Sequence, residues 1–166
     1  MKFSNTLKSV PFAAVLGVLT LVLGSTYASA TAVTASIAVT ATVQSTCVVI
    51  ASGLAFGTYI STAASTNAAT VTVTCTSTTP YTLGLDAGQG GGSVTTRKMK
   101  NGSALLSYSL FSDSLRTVNW GNSAGSWVTG TGSGVPQAIT VYGQIAASQY
   151  VLPGAYGDTI VATVSY

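Results

Sequence analysis

Apolar and polar residues alternate from residue 32 to residue 43, just ahead of the first cysteine. Every odd position is apolar, and most even positions carry threonine or serine. Successive side chains of an extended chain point to opposite faces, so this period of two predicts a β-strand with one apolar face. That face consists of Val33, Ala35, Ile37, Val39, Ala41 and Val43. Because the strand has no charge, proline or glycine to prevent edge-to-edge pairing, we predict that it pairs with another chain.

Shorter alternating runs follow along the remaining chain. They cover residues 71–75, 81–85, 106–110, 139–142 and 160–166, and turn-forming pairs such as Asn101-Gly102 and Pro153-Gly154 separate them. No helical period of useful length follows residue 30. About six or seven short strands in a chain of this size predict an all-β protein with an immunoglobulin-like β-sandwich.

The first 30 residues have the pattern of a secretory leader. Lys2 and Lys8 precede or border an apolar run over residues 12–23, and Ala28-Ser29-Ala30 matches a small-residue cleavage site. This order predicts a signal peptide, residues 1–30, that directs export. The apolar run is shorter than the roughly 20 residues that span a bilayer, and we predict no transmembrane segment in the mature chain.

Charge is scarce beyond the leader, where the remaining 136 residues suffice for one domain with a core. The mature chain has a net charge of +1, against +3 for the whole sequence, from Arg97, Lys98, Lys100 and Arg116 against Asp86, Asp113 and Asp158. Three of the basic residues stand beside Asn101-Gly102, a hairpin signal, and we expect them on a solvated turn. This charge pattern does not indicate nucleic-acid binding.

The chain has two cysteines, Cys47 and Cys75. Export would take them into an oxidising compartment, where paired cysteines form disulfides. We therefore predict a bond between them, with two free thiols as the alternative. In the chain-entropy model, a bond that closes a loop of about 29 residues contributes about 3.5 kcal/mol to the free energy of unfolding.

The last alternating run predicts an edge strand that lacks a neighbour. Its core-facing positions are Ile160, Ala162, Val164 and Tyr166. No strand follows in the sequence, whereas a spare strand precedes Cys47, so we predict an incomplete sandwich with a groove beside residues 160–166. Residues 31–43 of another subunit would fill that groove, and repetition of this head-to-tail contact would build an open fibre. Pairing of residues 32–43 within their own chain, as an ordinary edge strand, is the alternative.

Several short motifs occur in an order that matches a known family. They are Cys47, Phe56-Gly57-Thr58-Tyr59, Val71-Thr72-Val73-Thr74-Cys75, Pro80-Tyr81-Thr82-Leu83, Arg97-Lys98-Met99, the run from Leu106 to Asp113, Trp120-Gly121, Val141-Tyr142-Gly143 and the run from Gly154 to Tyr166. On these motifs, the chain resembles the spore coat protein U domain family and, within it, the subunits of archaic chaperone–usher pili. The resemblance covers nearly all of the mature chain.

This resemblance implies an incomplete immunoglobulin-like fold that polymerises by donor-strand exchange. Residues 31–43 would be the donor strand and residues 44–166 the pilin domain. The implied partners are identical or related pilus subunits, a periplasmic chaperone and an outer-membrane usher. Export through the periplasm would end in a cell-surface fibre with a role in adhesion or biofilm formation.

The residue types that enzymes need are missing from the sequence. It has no histidine and no glutamate, which excludes a Ser-His-Asp triad, a Cys-His pair and a histidine-based metal site. Asp113 and Asp158 are single aspartates beside turns, where a side-chain bond to the main chain is the ordinary role. The glycine-rich residues 88–92 lack the lysine and helix of a phosphate-binding loop. We predict neither catalysis nor a cofactor.

A binding module is the alternative to a fibre subunit. Trp120, Trp127 and several tyrosines are residue types that stack on sugars, as in a lectin-like or coat β-sandwich. The competing interpretation places Trp120 and Tyr108 in the core.

Overall fold

The computed structural model describes residues 29–166, so the predicted leader lies almost wholly outside the described residues. The chain divides into two units, Met1–Thr40 and Ala41–Tyr166, and all the described strands belong to the second unit. Residues 29–46 are assigned to no strand or helix. Within residues 29–166, no helix is long and apolar enough to cross a membrane.

The described part of the chain folds into antiparallel strands that form two sheets. Along residues 29–166 the strands are β1 (Cys47–Ala51), β2 (Ser65–Cys75), β3 (Pro80–Leu85), β4 (Arg97–Asn101), β5 (Ala104–Phe111), β6 (Val128–Thr131), β7 (Gln137–Ile145) and β8 (Ala162–Ser165). The larger sheet has the order β1-β2-β7-β5-β4, and the smaller sheet has the order β6-β3-β8. The predicted all-β sandwich is confirmed.

The core lies between the two sheets, where the inward-facing positions of the strands meet. From Ala69 to Cys75, β2 alternates buried with half-buried residues, as expected for a strand with one face against a core. The fully buried Trp120 donates a hydrogen bond from its indole Nε1 to the Leu83 carbonyl at 2.9 Å. Trp120 and Tyr108 both belong to the core, so neither presents a free face on which a sugar could stack.

A disulfide joins Cys47 to Cys75 and ties the edge strand β1 to β2. The two residues stand opposite each other in the strand register, with their Cα atoms 4.1 Å apart. The predicted disulfide is therefore confirmed. It anchors β1 at the end where the chain enters the sandwich.

The hairpin signal at Asn101-Gly102 also corresponds to a turn in the structure. Asn101 pairs with Ala104 across the end of β4 and β5, so the loop consists of Gly102 and Ser103. Gly102 has a φ of 59°, which a glycine adopts without steric cost at the first loop position. The loop lies one residue further along the chain than a loop made of Asn101 and Gly102.

Arg97 contradicts the expectation of a solvated basic turn, because it is fully buried at the start of β4. Its guanidinium donates hydrogen bonds to the main-chain carbonyls of Leu85, Asp86, Val94 and Trp120, at 2.7–2.9 Å. Burial lowers the pKa of Arg97, although an arginine side chain stays protonated in proteins. Lys100, in the same strand, is exposed as expected.

We expect Arg97→Met to lower the free energy of unfolding by at least about 3 kcal/mol, because buried carbonyls would lose charged donors that water cannot replace. Urea unfolding of the exported domain measures this change. Lys100→Met is the matched control, since Lys100 is exposed, and it should stay within about 0.5 kcal/mol of the wild type. Equal effects of the two substitutions would contradict a structural role for Arg97.

Candidate functional site

An apolar cavity of about 360 Å³ lies between the two sheets and opens at the surface. Two segments frame it: residues 51–56, which begin at the last residue of β1, and residues 156–162, which end at the first residue of β8. Its floor consists mainly of core residues, including Val71, Leu85, Tyr108, Leu110 and Val141. The cavity therefore leaves part of the core open to the surface, as a groove between the two sheets.

One rim of the groove is the free edge of β8. The Asp86 amide donates to the Val161 carbonyl at 3.1 Å, and hydrogen bonds in an antiparallel pair alternate from residue to residue. The odd-numbered residues of this segment therefore direct their main-chain groups toward β3. Those of Ile160, Ala162 and Val164 turn the other way, where neither of the described sheets places a strand.

The opposite rim is the free edge of β1. Ser52 and Thr76 donate their amides to the carbonyls of Thr70 and Thr46, at 2.9 and 3.0 Å. By the same alternation, the main-chain groups of Cys47, Val49 and Ala51 turn away from β2. The groove thus lies between two rows of outward-facing amides and carbonyls, which an added strand would pair with.

The predicted rim residues occupy different environments. Ile160, Ala162 and Val164 are half-buried and pack against the core. Tyr166 is 60% exposed and lies beyond the end of β8. Ile160 and Ala162 line the groove, whereas Val164 lies further along β8 and does not line it. The contact of these residues with an added strand stays a prediction.

The predicted donor face is almost fully solvent-exposed. Val33, Ile37, Val39 and Val43 have exposed fractions of 97%, 87%, 88% and 85%, and Ala35 and Ala41 are exposed too. None of these residues belongs to a strand, so the alternative of an edge strand within the same chain is not what the described residues form. Exposure of such aliphatic side chains to water is unfavourable, and full burial of a valine or isoleucine would stabilise the buried state by roughly 1.5–3 kcal/mol.

Tyr108 and Asp158 form a polar contact at the floor of the groove. The Tyr108 hydroxyl donates to Asp158 Oδ2 at 2.7 Å, while Asp158 Oδ1 accepts the amides of Gln89 and Thr159, both at 2.8 Å. Burial, reinforced by the hydrogen bond to Asp158, raises the pKa of Tyr108 far above its ordinary value. The Phe56 ring packs edge-on against Tyr108, with centroids 6.1 Å apart.

Asp86 fixes the same rim of the groove from the opposite side. Its Oδ1 accepts the amides of Gly88 and Val161, at 3.0 and 2.9 Å. Together with Asp158, it joins residues 158–161 to the loop that follows β3. The position of Asp158 beside a turn predicts part of this role, since a side-chain bond to the main chain is expected there. The role of Asp86 had no sequence signal.

The third aspartate of the mature chain, Asp113, has a structural role within its own loop. Asp113 accepts the amides of Thr117 and Val118 at 2.8–3.2 Å within its own loop, and these bonds, the one from Val118 first, lower its pKa. A general acid would need a raised pKa instead. Residues 29–166 contain no group of three or more side chains suited to hold a metal ion. Chemically, the site is an apolar groove bordered by main-chain groups that no described strand pairs with.

Two packed antiparallel sheets with an open groove between them place this domain in the immunoglobulin-like class of β-sandwiches. Comparison with known proteins places the chain more closely, because the sequence model of the Spore Coat Protein U domain matches residues 33–163. The chain belongs to the Spore Coat Protein U domain family. The resemblance predicted from its motifs is thereby confirmed.

Two similar proteins illustrate this relationship. Protein U of Myxococcus xanthus is 37% identical over 94 residues, which are 54% of this chain and 52% of that protein. A solved structure from Acinetobacter baumannii, the CsuC–CsuE chaperone–tip adhesion subunit pre-assembly complex of archaic chaperone–usher Csu pili, matches with a TM-score of 0.57 and 24% identity. That match covers 75% of this chain and 40% of the other chain. The chain thus spans about half of Protein U, and the structural match establishes a common fold.

The protonation of Tyr108 predicts a specific loss of stability in alkali. An unfolded tyrosine loses its proton near pH 10, whereas folded Tyr108 retains it because its pKa is raised. Above about pH 10, loss of this proton stabilises the unfolded state but not the folded state. The contribution of Tyr108 to the free energy of unfolding should therefore fall by up to about 1.4 kcal/mol per pH unit. Urea unfolding between pH 9 and pH 11 measures the slope.

Tyr108→Phe should make that slope shallower, since the variant has no phenolic proton to retain. Tyr150→Phe is the control, because Tyr150 is 83% exposed, and it should keep the slope of the wild type. An unchanged slope in Tyr108→Phe would contradict the raised pKa.

Proposed function

We propose that this protein is a structural subunit of a secreted surface fibre that polymerises by donor-strand exchange. Residues 31–43 of one subunit would lie in the groove between β1 and β8 of the next. The observation that carries the proposal is the open apolar groove, which coexists with an exposed, alternating segment in the same chain. Each feature supplies what the other lacks.

Backbone pairing supports the fit of donor to groove. A strand in the groove would meet the free main-chain groups of Ala162 and Val164 on one side and of Val49 on the other. Antiparallel sheets pair strands about 4.7–4.9 Å apart, so one inserted strand would join the two edges of the sandwich. Its apolar face would then point into the cavity of about 360 Å³.

The charge distribution supports the same assembly. The donor face consists of valine, isoleucine and alanine, and the groove floor is mainly apolar. Asp158 is the one charged residue that lines the groove, and its carboxylate already accepts hydrogen bonds from Tyr108, Gln89 and Thr159. Insertion would therefore remove mainly apolar surface from water and would not bury a charged group that lacks partners. A lone subunit would expose both surfaces, which favours aggregation unless a partner covers them.

Export partners follow from this need for protection. We propose that a periplasmic chaperone covers the groove before assembly and that an outer-membrane usher receives the complex. Membership in the Spore Coat Protein U domain family and the fold shared with a chaperone–subunit complex of Csu pili support this route. The assembled fibre would lie at the cell surface, with adhesion or biofilm formation as its role.

A coat protein is the second candidate function, favoured by the family's name. The two functions make different predictions for purified, assembled protein in the electron microscope. Linear fibres one subunit wide indicate a pilus, whereas flat layers indicate a coat. We propose a structural role in either case, and a catalytic role in neither.

The alternating pattern of the donor predicts unequal effects at neighbouring positions. Val39→Asp should abolish polymerisation, because it would place a carboxylate without a partner in an apolar groove. Thr40→Asp introduces the same group on the opposite face and should be much milder. Laddering of subunits on a gel run without boiling measures polymerisation. Equal loss at both positions would show that no groove distinguishes the two faces.

A second copy of the donor strand should complete the fold within one chain. We expect a fusion of residues 32–43 after Tyr166, through a flexible linker of a few residues, to fill the groove in cis at high effective concentration. The fused protein should be monomeric by size-exclusion chromatography and should melt at a much higher temperature than the unfused chain.

The matched control carries Ile37→Asp and Val39→Asp in the fused copy alone, which leaves length and linker unchanged. It should gain no stability and remain prone to aggregation. If the unfused chain is already a stable monomer and the fusion changes nothing, the groove needs no donor.

A further inference from the structure

A second, larger cleft continues the groove at one end. It measures about 910 Å³ and lies between residues 54–61 and residues 149–156. Leu54, Phe56, Met99 and Tyr156 line both the groove and this cleft. The donor strand proposed above accounts for the groove, but it does not account for the cleft.

The cleft is uncharged and exposes large apolar side chains. None of its lining residues is charged, and Tyr150 and Leu152 are 83% and 68% exposed. Internal hydrogen bonds hold its walls: the Tyr59 hydroxyl donates to the Ala146 carbonyl at 2.8 Å, and the Tyr156 hydroxyl donates to the Leu152 carbonyl at 2.7 Å. The cleft therefore has a fixed shape, carries no charge and combines polar groups with exposed aromatic and aliphatic side chains, as many protein interfaces do.

The strand registers show at which end of the sandwich the cleft lies. Cys47 stands opposite Cys75, and the Thr76 amide donates to the Thr46 carbonyl at 3.0 Å, so the chain enters the sandwich beside the turn at residues 76–79. β1 then runs away from this entry end toward Leu54, which lines the cleft. The cleft therefore lies at the end opposite to the one at which the chain enters.

The direction of a donor strand follows from the same registers. In an immunoglobulin-like sandwich the added strand runs antiparallel to its sheet neighbour, here β8. β8 runs from the end with the cleft toward the entry end, because Ala162 pairs with Leu85 and Ser165 with Thr82. An antiparallel donor would begin at the entry end, and its last residue, Val43, would lie beside the cleft.

The short link between donor and domain then restricts where the neighbouring subunit can lie. Residues 44–46 alone separate Val43 from Cys47, and the four residue steps from Val43 to Cys47 span at most about 14 Å. The entry end of the donating subunit must therefore come directly against the cleft of the accepting subunit. That entry end carries the uncharged turn at residues 76–79 and Val135, which is 59% exposed.

We propose that the cleft of the accepting subunit is the docking surface for the sandwich of the donating subunit. It receives residues 44–46 and the turn at residues 76–79 of the donating subunit. This inference rests on the donor-strand exchange proposed above. Both surfaces lack charge, so contact buries apolar area without the cost of desolvating ions. The contact would fix the angle between successive subunits, which one flexible link could not do.

Photocrosslinking in assembled fibres tests this contact. Benzoylphenylalanine replaces Tyr150 in the full exported chain, and a second protein carries it at Leu115, which is 82% exposed and does not line the cleft. Irradiation should crosslink position 150 to residues 44–46 or 76–79 of another copy, as peptide mapping would show. Position 115 should give no such crosslink.

A substitution tests the same contact by its strength. Fibres of the Tyr150→Ala variant should still form, but their subunits should dissociate about tenfold faster in denaturant, as expected when a buried aromatic anchor is lost. Leu115→Ala fibres should dissociate at the wild-type rate.

The outcomes separate this inference from the function on which it rests. Fibres that assemble normally but crosslink elsewhere from position 150, or that dissociate at the wild-type rate in Tyr150→Ala, would overturn the docking surface and leave donor-strand exchange intact. Failure of every protein to polymerise, wild type included, would overturn both.

Discussion

The unpaired space between β1 and β8 is the constraint on which the rest of this structure depends. A sandwich is stable when its sheet edges are paired and its core is covered. At the space between β1 and β8, the sheet edges are unpaired and the core is open. Ala51 and Ala162, whose main-chain groups turn outward from β1 and β8, line a cavity of about 360 Å³. One extended strand would satisfy both needs at once, which is the basis of the proposed donor-strand exchange.

The buried polar residues explain how an open groove keeps its shape. Arg97 joins four main-chain carbonyls from three separate parts of the chain, and Asp86 and Asp158 hold residues 158–161 against the loop after β3. In a complete sandwich, a neighbouring strand would hold this rim by main-chain bonds. Here the main-chain bond from the Asp86 amide to the Val161 carbonyl and the bonds of these charged side chains hold the rim together, and they leave the groove-facing edge free.

The sequence predicted those parts of the structure that depend on local pattern. Alternation located β2, β3, β5, β7 and β8, and the compartment argument located the disulfide. Arg97 was misjudged because a charge pattern indicates exposure, whereas its burial depends on carbonyls that distant residues bring together. The cleft at residues 54–61 and 149–156 had no signal, since these loops lack any period and acquire a common surface only when the sheets pack. Asp86 escaped notice for the same reason.

The distribution of charge gives the donor segment a further physical role. An exposed strand of valine, isoleucine and alanine is normally guarded by charged residues against unspecific pairing, and residues 31–43 carry none. A charge on the apolar face would prevent insertion into the groove as well as aggregation, because both depend on contacts with the same side chains. Under the proposed function, protection would come from outside the chain, through a partner that covers the donor or the groove until assembly. If the donor segment must bind an apolar groove, two consequences follow. The segment carries no charge that would prevent aggregation, and it needs the proposed chaperone instead.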